Sequence, residues 1–270
     1  MSIESVDAVV ASNAVRWSAG NGVESERCML ANEVPLSLVY NGVPFAVMLV
    51  TPQDIENFVL GFSVTEGIIE KASEVGGIEL EESSLGISAY VSIPVERSSA
   101  LETRKKNLTG RTGCGLCGEE LLENAVRPID PVKNKKKFSN RSIQKAVSAL
   151  GVLQVLNKET GTVHAAAWAN GEGEILVVRE DVGRHNALDK LIGVLLETEV
   201  DCLSGFALVT SRASYEMVQK AASVKISLLA AVSGPTDFAV RTAEKSGLTL
   251  IGFARDGRQT IYANAGSIVN

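Results

Sequence analysis

With 270 residues, 45% of them hydrophobic, the chain can bury a substantial core in one large domain or two smaller ones. Its net charge of −6 argues against a general nucleic-acid binder, and no apolar run approaches the roughly 20 residues that cross a bilayer. The opening MSIESVDAVV lacks the charged start and long apolar stretch of a secretion signal, and 4 cysteines in this length do not make a disulfide scaffold, so a cytoplasmic setting is expected.

Residues 33–50 read as two β-rich runs around Asn41-Gly42, the pair best suited to a type I′ hairpin turn. Thr51-Pro52 has the form of a helix start, with Thr51 as cap and Pro52 at the first helical position, and Ile55, Phe58, Val59 and Phe62 follow at helical spacing. A second strand-rich stretch spans about 76–95, interrupted by the polar run from Glu81 to Ser84. These pieces suggest a small α+β domain over 1–103.

Residues 104–138 differ in character. Arg104, Lys105, Lys106, Arg111, Arg127 and Lys135 belong to an accumulation of basic residues, and Pro128 and Pro131 break regular structure. This reads as a basic linker, and inside it lies TGRTGCGLCGEE, which places Cys114 and Cys117 among glycines. Such a backbone carries little side-chain bulk, so its sulfur can face a second molecule, and positive charge close by would favour the thiolate. In a reducing compartment Cys-x-x-Cys points to redox, metal or sulfur chemistry. The lysine run 135–137 is either a solvated surface or a local site for an anionic partner.

From Ser139 onward, amphipathic helices alternate with short apolar strands. Helices are expected around Ile143–Leu150, Leu188–Leu195, Ser214–Ser223 and Thr236–Ser246. Strands are expected at 175–179, 206–210, 227–232, 248–254 and 260–263. The pattern predicts a layered α/β domain over 139–270 with a largely parallel sheet, whose ligands would sit at the strand carboxyl ends.

Both of the 2 histidines fall in polar, small-residue settings. Arg184, His185 and Asn186 open a helix and suit an anion, although Asp181 or Asn186 can instead simply cap free amides. The Thr210–Glu216 stretch suits either a phosphate or a helix cap. Gly234-Pro235-Thr236-Asp237 reads as a turn and cap, and Arg255-Asp256-Gly257-Arg258, taken alone, as a tight polar turn. Nucleobase deaminases combine His-x-Glu with Pro-Cys-x-x-Cys around zinc. Here Ala166 and Ala187 stand two residues after the histidines and Gly113 precedes Cys114, so neither deaminase chemistry nor a permanent metal is expected.

Taken together these segments resemble the formate dehydrogenase accessory sulfurtransferases, the FdhD family. The likeness rests on the Asn41-Gly42 hairpin with MLVTP, GFSVTEGII at 61–69, TGCGLCGEE at 112–120, HAAAW at 164–168, EDVGRHNALDK at 180–190, EMVQKAA at 216–222 and LTLIGFARDGR ending at 258. One departure is Thr162, where many relatives carry a second glycine. The resemblance implies a cytidine-deaminase-like fold for the larger domain, without deaminase activity. It implies a homodimer that takes sulfur from a cysteine desulfurase as a cysteine persulfide and passes it to a molybdenum (or tungsten) bis(molybdopterin guanine dinucleotide) cofactor. That cofactor is a bound substrate, and its sulfuration activates formate dehydrogenase.

On this resemblance Cys114 is the persulfide carrier and Cys117 its partner, while cofactor binding maps to Phe253, Ala254, Arg255, Asp256, Gly257 and Arg258. The guanidinium forks of Arg255 and Arg258 suit the cofactor's phosphates, Arg184 and His185 join them, and the Asp256 carboxylate is a candidate reader of guanine. The alternative is a chaperone that binds and delivers the cofactor without sulfur chemistry.

Overall fold

The structure, a computed structural model, describes residues 6–104, 127–133 and 136–270. Lys105, Lys106, Arg111, Cys114, Cys117 and Lys135 lie outside the described residues. Among the described residues, strands β1 (Val9–Ser18) and β2 (Gly22–Ala31) pair only with each other, forming a hairpin that the sequence reading did not anticipate. Its Val15, Trp17 and Val23 are exposed.

Strands β3 (Val34–Tyr40) and β4 (Val43–Val50) form the expected hairpin, with Asn41 at φ 47° and Gly42 at φ 79°, both in the left-handed region that a type I′ turn requires. With β5 (Gly77–Ser83) and β6 (Gly86–Ser92) they make a four-stranded sheet in the order β4-β3-β6-β5. Leu36, Leu38, Tyr40, Ile87 and Val91 face helix α1 (Ile55–Thr65), which answers with Phe58 and Phe62.

The start of α1 corrects the sequence reading. It begins at Ile55 rather than at Pro52, because Thr51 is engaged elsewhere: its N–H donates to Asp181 Oδ2 (2.9 Å) and its hydroxyl accepts from the Val182 N–H (3.1 Å). A cap candidate by local rules has become a tie to residues 130 positions away.

Helix α2 (Val95–Arg104) precedes the cysteine segment. Beyond it come β7 (Phe138–Ser139), α3 (Asn140–Leu153), α4 (Val155–Thr160), β8 (His164–Asn170), β9 (Ile175–Asp181), α5 (Arg184–Glu197), β10 (Gly205–Val209) and α6 (Tyr215–Ser223). The chain finishes with β11 (Leu228–Ala231), α7 (Asp237–Ser246), β12 (Thr249–Arg255), β13 (Arg258–Ala263) and β14 (Ile268–Val269), which pairs with β7. Six strands form one sheet in the order β13-β12-β11-β10-β8-β9.

That sheet is mixed α/β architecture but not largely parallel. Only β10, β11 and β12 run parallel, while β8, β9 and β13 are antiparallel to the strands they pair with. The reason is connection length: β8–β9 and β12–β13 are joined by short turns, and a parallel pair needs a crossover of a dozen or more residues. β8 itself was not expected. Its HAAAWAN lacks the β-branched residues that mark strands, yet Ala165 to Ala169 are buried between layers where only small side chains fit. Helices α5, α6 and α7 cover one face of the sheet and α3 covers the other.

The two sheets are joined through α1 and α5. A Cβ on Gly61 would stand 1.9 Å from the Asp189 carbonyl oxygen, and one on Gly193 only 1.8 Å from that of Asn57, so only glycine permits this approach. Helix α5 is therefore buried on all sides from His185 to Leu195, against the sheet on one flank and α1 on the other.

Candidate functional site at the carboxyl edge of the six-stranded sheet

Strands β10, β11 and β12 end on one edge, and the loops that follow them are sewn together. The Ser233 N–H donates to the Ser211 carbonyl (3.4 Å), Thr236 N–H to that of Ala213 (3.0 Å), and Phe253 N–H to that of Ser233 (3.1 Å). His164 opens antiparallel β8 at the same edge, where the Ala165 N–H donates to Thr210 Oγ1 (2.9 Å) and His164 pairs with Asp181 at the end of β9. Thr236 caps α7 as expected by accepting from the Ala239 N–H, and Asp181 takes the capping alternative, accepting from the Gly183 N–H (2.8 Å) and from Asn186 (2.8 Å).

The predicted segment from Phe253 to Arg258 lies at this edge as the β12–β13 hairpin, interrupted by a register shift between Gly252 and Arg255. Phe253 sits at φ 51°, an unusual and costly conformation for a bulky aromatic residue, and it is half exposed. Its ring packs so tightly over Gly234 that a Cβ there would lie 2.7 Å from the ring. Strain of this kind persists only where surrounding contacts impose it, and it concentrates at ligand sites. Of the neighbours, Ala254 is buried and structural, Arg255 Nε donates to the Val232 carbonyl (3.3 Å), Ser148 donates to Asp256 Oδ1 (2.8 Å), and the Gly257 N–H donates to Gln144 (2.9 Å). Arg258 pairs with Arg255 across the hairpin.

Arg184 and His185 open α5 just after β9, four strands along the sheet from β12. Burial, reinforced by the neighbouring Arg184 guanidinium, pulls the His164 imidazole below its ordinary value. His185 is 8% exposed, and its Nε2 lies 2.9 Å from Glu216 Oε2, near the start of α6, in an alignment too poor for a hydrogen bond. Three buried polar atoms around this point lack a hydrogen-bond partner: His185 Nε2, Glu216 Oε1 and Ser214 Oγ. Sequence reasoning named His185 and left the Thr210–Glu216 stretch open between a phosphate site and a helix cap, because nothing in the local pattern says that two helix N-termini meet.

Beneath the edge lies an ionic network that is satisfied. Lys220 Nζ contacts Asp189 Oδ2 (2.8 Å), Glu66 Oε1 (3.1 Å) and Thr65 Oγ1 (2.9 Å), and Arg127 pairs with Glu66 and donates to the Thr65 carbonyl (3.1 Å). Burial opposes the Glu66 charge, but Lys220 and Arg127 outweigh it and hold the carboxyl down at about 2. Burial likewise pushes the Asp189 carboxyl up, against the pull of Lys220. The Arg127 N–H also donates to the Tyr215 hydroxyl (3.0 Å), so the chain leaving the cysteine segment is fixed ten residues after Cys117, one residue from Ser214. A cavity of about 550 Å³ opens beside this anchor, walled by Arg127, the stacked rings of Tyr215 and Phe238, Arg241 and Lys245.

Cys28 and Cys202 have no disulfide, and burial raises the Cys202 thiol to about 11, which makes it inert. Among the described residues no three His, Cys, Asp or Glu side chains group as metal ligands, and no helix is long and apolar enough to cross a membrane.

Comparison with known proteins places this geometry. The FdhD/NarQ family model matches residues 31–269. A protein of Xanthomonas euvesicatoria pv. vesicatoria named sulfur carrier protein FdhD is 48% identical over 250 residues, covering 93% of this chain and 89% of its own length. One of the same name from Cupriavidus necator is 49% identical over 249 residues, covering 92% and 86%. The fold matches a crystal structure from Desulfotalea psychrophila, assigned as a formate dehydrogenase accessory protein, with TM-score 0.76 at 23% identity over 97% of this chain and 100% of that one. The chain belongs to the FdhD/NarQ family.

Proposed function

We propose that this protein is a sulfurtransferase that carries sulfur as a persulfide on Cys114 and delivers it to a molybdenum (or tungsten) bis(molybdopterin guanine dinucleotide) cofactor. The name sulfur carrier protein on relatives near half identity is the observation that carries this reading. The donor is a cysteine desulfurase, the beneficiary is formate dehydrogenase, and the working form is a cytoplasmic homodimer with a cytidine-deaminase-like larger domain.

In the first step the Cys114 thiolate attacks the terminal sulfur of the desulfurase persulfide. Its S–S bond breaks, the desulfurase thiolate leaves, and Cys114 holds the sulfane sulfur, a reversible cap. In the second, the Cys117 thiolate attacks the inner sulfur of Cys114 and expels hydrosulfide toward the cofactor. The sulfane sulfur gains the two electrons that the thiols lose in forming a Cys114–Cys117 disulfide, and a dithiol reductant reopens it for the next cycle.

Support for the receiving end comes from the carboxyl edge: Arg255 and Arg258 as register partners in the β12–β13 hairpin, Arg184 at a helix N-terminus, and the strained Phe253 presenting a half-exposed ring.

The test is incubation with a desulfurase and cysteine, followed by mass spectrometry of the 112–120 peptide. A gain of one sulfur atom, absent in C114A, is expected. No gain on the unaltered protein favours the delivery chaperone. Full transfer at normal rate by C117A removes the resolving role from Cys117.

A further inference from the structure

Among the described residues the β1–β2 hairpin has no third strand, and a two-stranded ribbon is marginal in water unless another strand or a packed element supports it. β2 lies against the six-residue helix α4, which can support one side only. The register decides which side chains share a side. Trp17 stands opposite Val23, Val15 opposite Ser25, Asn13 opposite Arg27 and Ala11 opposite Met29, so these residues project together. There Trp17 is 72% exposed, Val15 and Val23 68% each, and Met29 40%. The other side, with Ala14, Glu26 and Cys28, is half-buried. The ribbon therefore turns its more apolar side outward.

Charge and size select what covers that side. With 32 acidic residues against 26 basic ones, two copies repel at long range and approach most readily where carboxylates are absent. The Trp17 side carries no carboxylate. Its one charge, Arg27, stands beside Asn13, while Arg16, Glu24 and Glu26 alternate onto the other side. A strongly charged partner finds little to recognise here, whereas an identical apolar ribbon does. Each strand has ten residues, about 33 Å, and two right-twisted ribbons can pack face to face at about 10 Å with their side chains interdigitated. With exposed Val152 and Val155 at the α3–α4 corner, beside β2, the patch is on the order of the 800 Å² per partner that a stable dimer buries.

We infer that the Trp17 side of the β1–β2 hairpin is the contact surface between two copies of this chain, packed ribbon against ribbon about a two-fold axis. Trp17 is the central anchor, an aromatic side chain that each copy shields for the other. The inference rests on the homodimer of the proposed function, whose interface it names, and is independent of the sulfur chemistry.

The experiment is sedimentation equilibrium of the full-length protein over a concentration series, with acrylamide quenching of tryptophan fluorescence on the same samples. Trp17 and Trp168 are the 2 tryptophans and Trp168 is 1% exposed, so the quencher reads Trp17 alone. Twice the chain mass is expected, with the quenchable emission falling at least threefold as the dimer forms. Trp17→Lys should weaken association at least tenfold and Trp17→Phe should keep it, both with an unchanged circular dichroism spectrum. Leu85→Lys, at an equally exposed site away from the hairpin, should leave the mass unaltered. A dimer in which Trp17 stays open to acrylamide overturns the inference while the homodimer stands, and needs no variant. So does a W17K protein that dimerises as before. A single-chain mass at every concentration overturns both. Shielding of Trp17 that appears only on adding a cysteine desulfurase gives the surface to that partner and overturns the assignment to a second copy. Sulfur loading is followed separately by mass spectrometry, so its presence or absence leaves this result untouched.

Discussion

Two polar regions sit a few residues apart in this protein and are built on opposite plans. In and beside the seam between α1 and α5, buried charges among the described residues are matched: Lys190 against Asp181, and Lys220 of α6 against Asp189 and Glu66. At the carboxyl edge, three buried polar atoms are unmatched and Phe253 is held in a disfavoured backbone conformation. The seam is closed and stabilises the relative placement of the two sheets. The edge withholds its own satisfaction, which is what a surface prepared for something external looks like.

The harshest way to break the contrast is to separate the helices. Gly193→Ala places a methyl 1.8 Å from the Asn57 carbonyl, so α5 and α1 must move apart. A loss of about 4 kcal/mol or more, seen as a melting point lowered by roughly 10 °C or as insoluble protein, is expected. A variant that melts within a degree of the original would show that the seam is not tightly fitted.

Next comes Lys220→Met, which strands Asp189 and Glu66 in the interior at a cost of about 3–5 kcal/mol, measured by urea denaturation. A companion K220M/D189L should recover part of that loss, because an apolar pair needs no partner.

Acid provides a third probe. The Glu66 carboxyl is held at about 2 against an ordinary 4.5, so its contribution of about 3 kcal/mol is fully present above 4.5 and disappears as pH falls toward 2. E66Q should flatten that part of the stability–pH curve. An unaltered slope would mean that another carboxylate carries it.

The smallest effect on stability, and the most telling, belongs to the edge. Phe253→Asn suits the left-handed backbone, and relief of about 1 kcal/mol of strain offsets the lost ring contacts, so the melting point should hold within about 3 °C. Guanine-nucleotide binding should nevertheless fall about tenfold, measured by calorimetric titration with GDP. A large stability loss with intact binding would place Phe253 on the structural side of the comparison.

Local sequence carried what depends on neighbours along the chain. Asn41-Gly42 specified a type I′ turn because its two positive φ values are intrinsic to those residues, and the alternation of apolar runs from Ser139 onward marked most of the strands and helices of the larger sheet. The Gly-flanked Cys114 and Cys117, together with EDVGRHNALDK, sufficed to point to the family. Contacts at long range left no such mark. Thr51 looked like a cap because its tie to Asp181 spans 130 residues, and β8 escaped notice because alanine is chosen there for clearance, not for strand propensity. The pairing of His185 with Glu216, and the approach of Gly61 to Asp189, exist only once two helices are brought together in space. Periodicity and turn chemistry are properties of a few consecutive residues, whereas a shared edge is a property of the folded whole, and that edge is where the unsatisfied groups of this protein meet.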